Sequence, residues 1–135
     1  MPQRFPRTLP GDAASTWDPA DYQPAAVLVN LGTNDYWNGD PGAGYATAMQ
    51  AFITNLATDY PNARLYLIVS PMLDTLQREA QRSVLKSIKA SLLSVLDLGA
   101  IEMADGYGSD GHPNQITHAR LGAALVEYLK SDLGY

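Results

Sequence analysis

Two short polar stretches carry most of what this chain could use for chemistry. The first is Gly32-Thr33-Asn34-Asp35 and the second is Gly108-Ser109-Asp110-Gly111-His112-Pro113-Asn114. A histidine close to a carboxylate, met by a carboxamide from another loop, suits acyl transfer. In that arrangement His112 is the general base, Asp110 holds its tautomer, and Asn34 donates to a developing oxyanion. Taken singly, neither stretch is specific, because such loops also arise merely to satisfy their own backbone. Their joint placement after two strands gives the functional reading its weight.

The nucleophile is harder to find. Gly11-Asp12-Ala13-Ala14-Ser15 imitates a nucleophile block, but Arg4–Pro10, with Pro6 and Pro10, cannot pair as a central strand in front of it. A nucleophile elbow needs a strand, a tight turn and then a helix. Ser70 lies in the loop after the second strand, where it also suits a turn. Ser109 is next to Asp110 and would be strained to face His112. A water activated by His112 and Asp110 is a further option. His118 reads as a packed or capping histidine, and a His112–His118 metal pair would lack a third ligand. Trp37 and Tyr36 suit either an aromatic wall for an acyl group or sugar ring or an anchor for their loop. Asp18, Asp21 and Asp40 read as surface charge.

The elements that must position these residues follow from apolar patterning. Residues 1–24 hold five prolines and no regular period, which predicts an irregular arm. Residues 25–31, apolar apart from Asn30, read as a strand of a parallel sheet, and ligands in open α/β sheets bind beyond such carboxyl ends. Residues 36–44 read as loop. A helix over 44–60 carries Tyr45, Met49, Phe52, Ile53 and Leu56 on one stripe. A second strand spans 65–69. A long helix over about 74–97 has Leu76, Ala80, Val84, Ile88, Leu92 and Val95 as its seam, with Arg82, Lys86 and Lys89 on a solvated face and Gly99 as C-cap. A third strand is expected at 100–104. The last helix, about 114–131, starts at Asn114 as N-cap and buries Ile116, Ala119, Ala123, Leu125 and Tyr128 or Leu129. Strands alternating with helices imply a parallel sheet with right-handed crossovers.

Composition narrows the class. At 135 residues the chain is one domain, 46% hydrophobic and 17% charged, with net charge −5. That balance argues against a nucleic-acid partner. No apolar run reaches the roughly 18 residues a membrane span needs, and the first residues lack the apolar stretch of a signal peptide. With no cysteine there is no disulfide and no thiolate metal site.

Gly32-Thr33-Asn34-Asp35 followed by Asp110-Gly111-His112-Pro113 resembles the third and fifth blocks of the SGNH, or GDSL-type, hydrolases. Trp17-Asp18-Pro19, Gln23-Pro24, Ser70-Pro71-Met72, Gly106-Tyr107-Gly108 and Thr117-His118 extend the likeness to acetyl esterases of carbohydrate esterase family two. The resemblance implies a flavodoxin-like three-layer α/β/α sheet and a cofactor-free esterase mechanism, with acetylated sugars as substrates. Carried over, His112 is the base, Asp110 its orienting partner and Asn34 an oxyanion donor. Asp35 braces the loop. Gly32 and Trp37, in and beside that motif, are read from the sequence itself as the substrate-binding candidates. The family is often secreted. Its Gly-Asp-Ser nucleophile block and its glycine oxyanion block are not recognisable here, so the chain reads as the C-terminal part of such a fold, with about three strands.

The strand at 25–31 would then be an edge, roughly 20 Å long at ~3.3 Å per residue. It has no lysine, proline or bulge to deter pairing, which predicts a homo-oligomer formed across it. Three functions follow: an esterase with a borrowed or unconventional nucleophile, a catalytically silent remnant that self-assembles, or a non-catalytic module binding a sugar or other small molecule.

Overall fold

A computed structural model describes residues 4–134. Three parallel strands, β1 (Ala26–Val29), β2 (Arg64–Ile68) and β3 (Leu93–Leu96), pair in the order β1-β2-β3. Ala26 to Val29 pair with Arg64 to Leu67, and Leu65 to Ile68 pair with Leu93 to Leu96. Among the described residues, four α-helices accompany them: α1 (Thr33–Tyr36), α2 (Ala43–Asp59), α3 (Thr75–Ser87) and α4 (Gln115–Leu133). Side chains alternate across a strand. Val29, Leu65, Leu67 and Val69 therefore pack in the main core with Tyr45, Met49, Phe52, Ile53 and Leu56 of α2 and Leu85 of α3. The opposite face carries α4, where Tyr66 meets Tyr128 edge-on at 6.0 Å and bonds Asp132 at 2.6 Å. The three layers expected from sequence are present.

The arm is irregular, as its prolines require, but it is not loose. Phe5 packs edge-on against Phe52, and Trp17 stacks on Tyr60. A single bridge joins Arg7 to Thr16. Gln23 donates to the Asp59 carbonyl at 3.0 Å, which fixes the arm at the end of α2 remote from the β1 carboxyl terminus.

Three expectations are corrected. The long helix stops at Ser87, ten residues short of 97, and β3 is at Leu93–Leu96 rather than at 100–104. No glycine or proline marks the break. Gln50 of α2 instead takes both main-chain groups of Lys89 (2.9 and 2.8 Å), and Leu92 turns the chain at φ 56°. Residues 103–105 form a single 3-10 turn, and Gly99, expected as a helix C-cap, follows β3 at φ 101°. Second, the inner face of α3 is Arg78, Gln81 and Leu85, while Leu76 of the expected seam is 81% exposed. Arg82 is no mere solvated charge: it pairs with Glu79 and Asp97. Third, α4 turns Thr117 inward, whereas Ile116, Ala119, Ala123 and Tyr128 are exposed. Asn114 caps α4 as expected, accepting from the Thr117 N–H at 3.0 Å.

The buried polar face of α3 clamps the strand ends. Gln81 accepts from the Ser70 N–H after β2 (2.8 Å) and donates to the Leu31 carbonyl after β1 (3.1 Å). Arg78 donates to the Ser70 carbonyl (2.7 Å) and the Gly99 carbonyl (3.2 Å), and pairs with Asp97 after β3. Burial alone raises the Asp97 carboxyl, but hydrogen bonds from Arg82, the Gly99 N–H and Arg78 outweigh it and hold its pKa below the ordinary value. Gly32 fits under this clamp because it has no side chain. Its φ is 110°, and a Cβ there would fall 2.7 Å from Gln81 Nε2 and onto the Tyr45 hydroxyl.

Replacing Gln81 by leucine keeps the bulk but strands a buried N–H. Unsatisfied buried groups cost about 1–3 kcal/mol, so Gln81→Leu lowers urea-denaturation stability by about 2 kcal/mol. A loss below about 0.5 kcal/mol would contradict the clamp.

Candidate active site

Of the clefts that open where the strands end, two hold the candidate residues. The larger, about 600 Å³, is lined by the run Asn30–Asp35 and by Gly44, Tyr45 and Ala48 of α2. The smaller, about 420 Å³, lies between the sheet and α4 and is lined by Ser70, Leu98, His112, His118, Leu121 and Leu125 among others. Asn30 and Thr33 belong to both walls, so the clefts adjoin. Asn34 lies in the larger and His112 in the smaller. Sequence reasoning put both in one site. The structure sets them at the same end of the sheet, in neighbouring clefts.

The loop that carries His112 is pinned to α4. Asp105 accepts from Arg120 Nε (2.9 Å) and Nη2 (2.7 Å) and from the Thr117 hydroxyl (3.2 Å), while Asn114 donates to the Asp105 carbonyl. The loop then closes on itself, with the Gly108 N–H on the His112 carbonyl (2.8 Å) and the His112 N–H on the Ser109 carbonyl (3.1 Å). Asp110 sits in the left-handed region (φ 55°, ψ 38°), which short polar side chains tolerate better than most.

This backbone turn brings two main-chain oxygens to the imidazole. His112 Nδ1 lies 3.2 Å from the Ser109 carbonyl and 3.1 Å from the Asp110 carbonyl. Carbonyls only accept, so the neutral ring carries its proton on Nδ1 and keeps the Nε2 lone pair free. Asp110 thus meets His112 through its main chain. Among the described residues its carboxylate makes no ion pair with the ring.

The other candidates separate clearly. Tyr36 is buried against Tyr45 (ring centroids 5.2 Å) and anchors its loop, not a substrate wall. Burial, then Tyr45, Asp40 and Asp35, push its hydroxyl pKa up to about 12. Trp37 projects outward, 70% exposed, beyond the lining of either cleft, while Gly32 lines the larger one. Asn34 is exposed in the first turn of α1, a turn within the stretch read as loop. His118 is exposed and shares the smaller cleft with His112, so it is neither packed nor a cap.

The serines do not meet His112 in the manner of a nucleophile. Ser15 accepts from the Leu9 N–H (2.9 Å) and lies 2.9 Å from the Asp12 carbonyl, inside the arm at the far end of α2. Ser70 has no exposed surface, bonds Thr33 at 2.6 Å and accepts from the Met72 N–H at 3.3 Å. Ser109 presents its carbonyl to Nδ1.

Asn30, Arg78, Gln81 and Asp105 were missed as site-building residues. Asn30 alone gave a signal, as the one polar residue in an apolar run.

Residues 2–120 match the GDSL-like lipase/acylhydrolase family. The cellulase/esterase CelE of Acetivibrio thermocellus is 30% identical over 98% of this chain and 17% of its own length. An acetylxylan esterase/glucomannan deacetylase of Cellvibrio japonicus is 28% identical over 96% of this chain and 37% of its own. Among solved structures, a family two carbohydrate esterase from Clostridium thermocellum, in complex with cellohexaose, superposes with TM-score 0.91 at 28% identity, covering 98% of this chain and 43% of that one. A Corynascus thermopiles carbohydrate esterase family 2 enzyme with a carbohydrate-binding domain gives 0.88 at 30% identity, over 100% and 45%. The chain therefore spans less than half the length of these relatives. With its parallel sheet and its two loop motifs, it belongs to the GDSL-like lipase/acylhydrolase family, as an SGNH hydrolase that resembles the family two carbohydrate esterases.

Proposed function

We propose that the chain contributes the base and an oxyanion donor to a carboxylic ester hydrolase acting on short acyl esters, acetylated carbohydrates among them. The observation that carries this reading is the pair of carbonyls 3.2 and 3.1 Å from His112 Nδ1, which favours a neutral ring with its lone pair on Nε2 at the wall of a cleft. The names of the relatives, an acetylxylan esterase and carbohydrate esterases, support the substrate class. His112 takes the proton of the attacking hydroxyl, and the Asp110 and Ser109 carbonyls stabilise the imidazolium that forms. Asn34 donates to the oxyanion across the shared Asn30–Thr33 wall. Gly32 borders the larger cleft, and Trp37, exposed beyond its lining, offers a free ring face on which a sugar ring can stack. The nucleophile reaches His112 as water or as a hydroxyl other than those of Ser15 and Ser70, which are committed elsewhere.

Hydrolysis of a short-chain aryl acetate tests these roles. His112→Ala and Asn34→Ala each reduce the rate by about 10²–10³. A rate unchanged in His112→Ala eliminates the base. A serine-directed phosphonate followed by mass spectrometry locates any hydroxyl nucleophile. An inactive parent would instead favour a silent self-assembling remnant, the reading that the committed serines support.

The same free edge motivates a second proposal: two copies of the chain pair through residues 25–31. β1 is hydrogen-bonded on one side only, and Leu28 at its centre is 40% exposed. Open apolar edges recruit further strands. Sedimentation at micromolar concentration gives a dimer that Leu28→Lys dissociates; a monodisperse monomer in the parent contradicts the pairing.

A further inference from the structure

We infer that the Asp105–Arg120 ion pair is a positioning device for His112, setting the preferred tautomer of a ring that neither residue touches. Its effect on rate rests on the proposed esterase reading; its effect on the ring does not.

Residues 107–113 hang from a neck. Among the described residues their hydrogen bonds all close within that segment. Their orientation is therefore set where the loop leaves and rejoins the body, at Asp105 and Asn114. One carboxylate oxygen, Asp105 Oδ2, accepts from Arg120 Nε (2.9 Å), Arg120 Nη2 (2.7 Å) and the Thr117 hydroxyl (3.2 Å). Thr117 and Arg120 stand three residues apart on α4, hence on one face. The same Nη2 donates to the Ala100 carbonyl (2.9 Å), so the guanidinium also holds the chain leaving β3. The pair thus brings Asp105 to the first turn of α4. There Asn114 closes the neck, donating to the Asp105 carbonyl while its side-chain oxygen caps the helix.

Inside the loop the turn at Asp110 is strained. A φ of 55° outside glycine persists only where neighbouring contacts over-determine it. Relaxing it would part Gly108 from His112 and Pro113, which it meets backbone to backbone. The Gly108 N–H bonds the His112 carbonyl at 2.8 Å, and a Cβ on Gly108 would fall 3.0 Å from the Pro113 carbonyl oxygen. A closed neck forbids that parting. With the neck open, residue 110 returns to ordinary angles and its carbonyl leaves Nδ1. The hydrogen bonds of the ring decide which nitrogen holds the proton, so the preference is lost.

Asp105→Asn removes the charge, and Arg120→Lys removes the planar fork, which lysine cannot reproduce. Glu102→Gln is the control: its exposed carboxylate meets Arg120 Nη1 at 3.3 Å but takes no part in the neck. Nitrogen NMR is recorded on each variant at a pH where the rings are neutral, with His112 identified by its absence in His112→Ala. Asp105→Asn and Arg120→Lys lose the Nδ1–H form as the dominant neutral species at unchanged helical circular dichroism, and Glu102→Gln keeps it. In aryl acetate hydrolysis the same two variants lower kcat by about 10–10²-fold with KM unchanged, the effect of a misplaced group. A parent-like ring in either variant, or a tautomer lost only together with helical signal, overturns the positioning role. If the ring changes while the parent hydrolyses no ester, or while the variants keep its kcat, the positioning stands and His112 as base falls. If the ring holds while His112→Ala abolishes hydrolysis, the base stands and the positioning falls.

Discussion

The structure depends on one buried amide. Gln81 reaches from α3 to the ends of two strands, accepting from the Ser70 N–H and donating to the Leu31 carbonyl. Parallel strands leave their last main-chain groups without ladder partners where the chain departs into a loop. Buried groups of that kind must be satisfied. Gln81 meets this need for β1 and β2, and Arg78, one turn earlier, meets it for β2 and β3 through Ser70, Gly99 and Asp97. A single helix therefore sets the relative height of all three loops, including the one that carries Thr33 and Asn34.

The histidine loop is held by a separate device. It is anchored by Asp105 to Arg120 and Thr117 of α4, so the helix that bounds the smaller cleft also positions His112 on its wall. Within that loop the backbone, not a carboxylate, sets the tautomer. A left-handed residue at 110 turns two successive carbonyls toward Nδ1. The two clefts that these loops border share Asn30 and Thr33.

Much of this was legible in the sequence. The stripe on α2, the strands at β1 and β2, the cap at Asn114 and the placement of Asn34 and His112 at one end of the sheet follow from patterns that local physics enforces. β3 was not legible. Ile88, Leu92 and Val95 keep a helical spacing, and the break is made by a tertiary bond from Gln50 and by Leu92 at positive φ, where glycine would have been the signal. The inner face of α3 was misread because hydrogen-bond demand overrode hydrophobicity, burying Arg78 and Gln81 while Leu76 is exposed. On α4, apolar residues occur all around the helix, so periodicity could not choose a side. Asp110 was found by type and spacing, but its mode of contact depends on a backbone angle that no side-chain pattern encodes.

The central claim concerns one proton, and nitrogen NMR of the His112 ring observes it directly. At a pH where the imidazole is neutral, the account predicts a protonated Nδ1 and a bare, pyridine-like Nε2. A neutral ring protonated at Nε2 would contradict it, because the atom assigned as the base would then have no lone pair to offer.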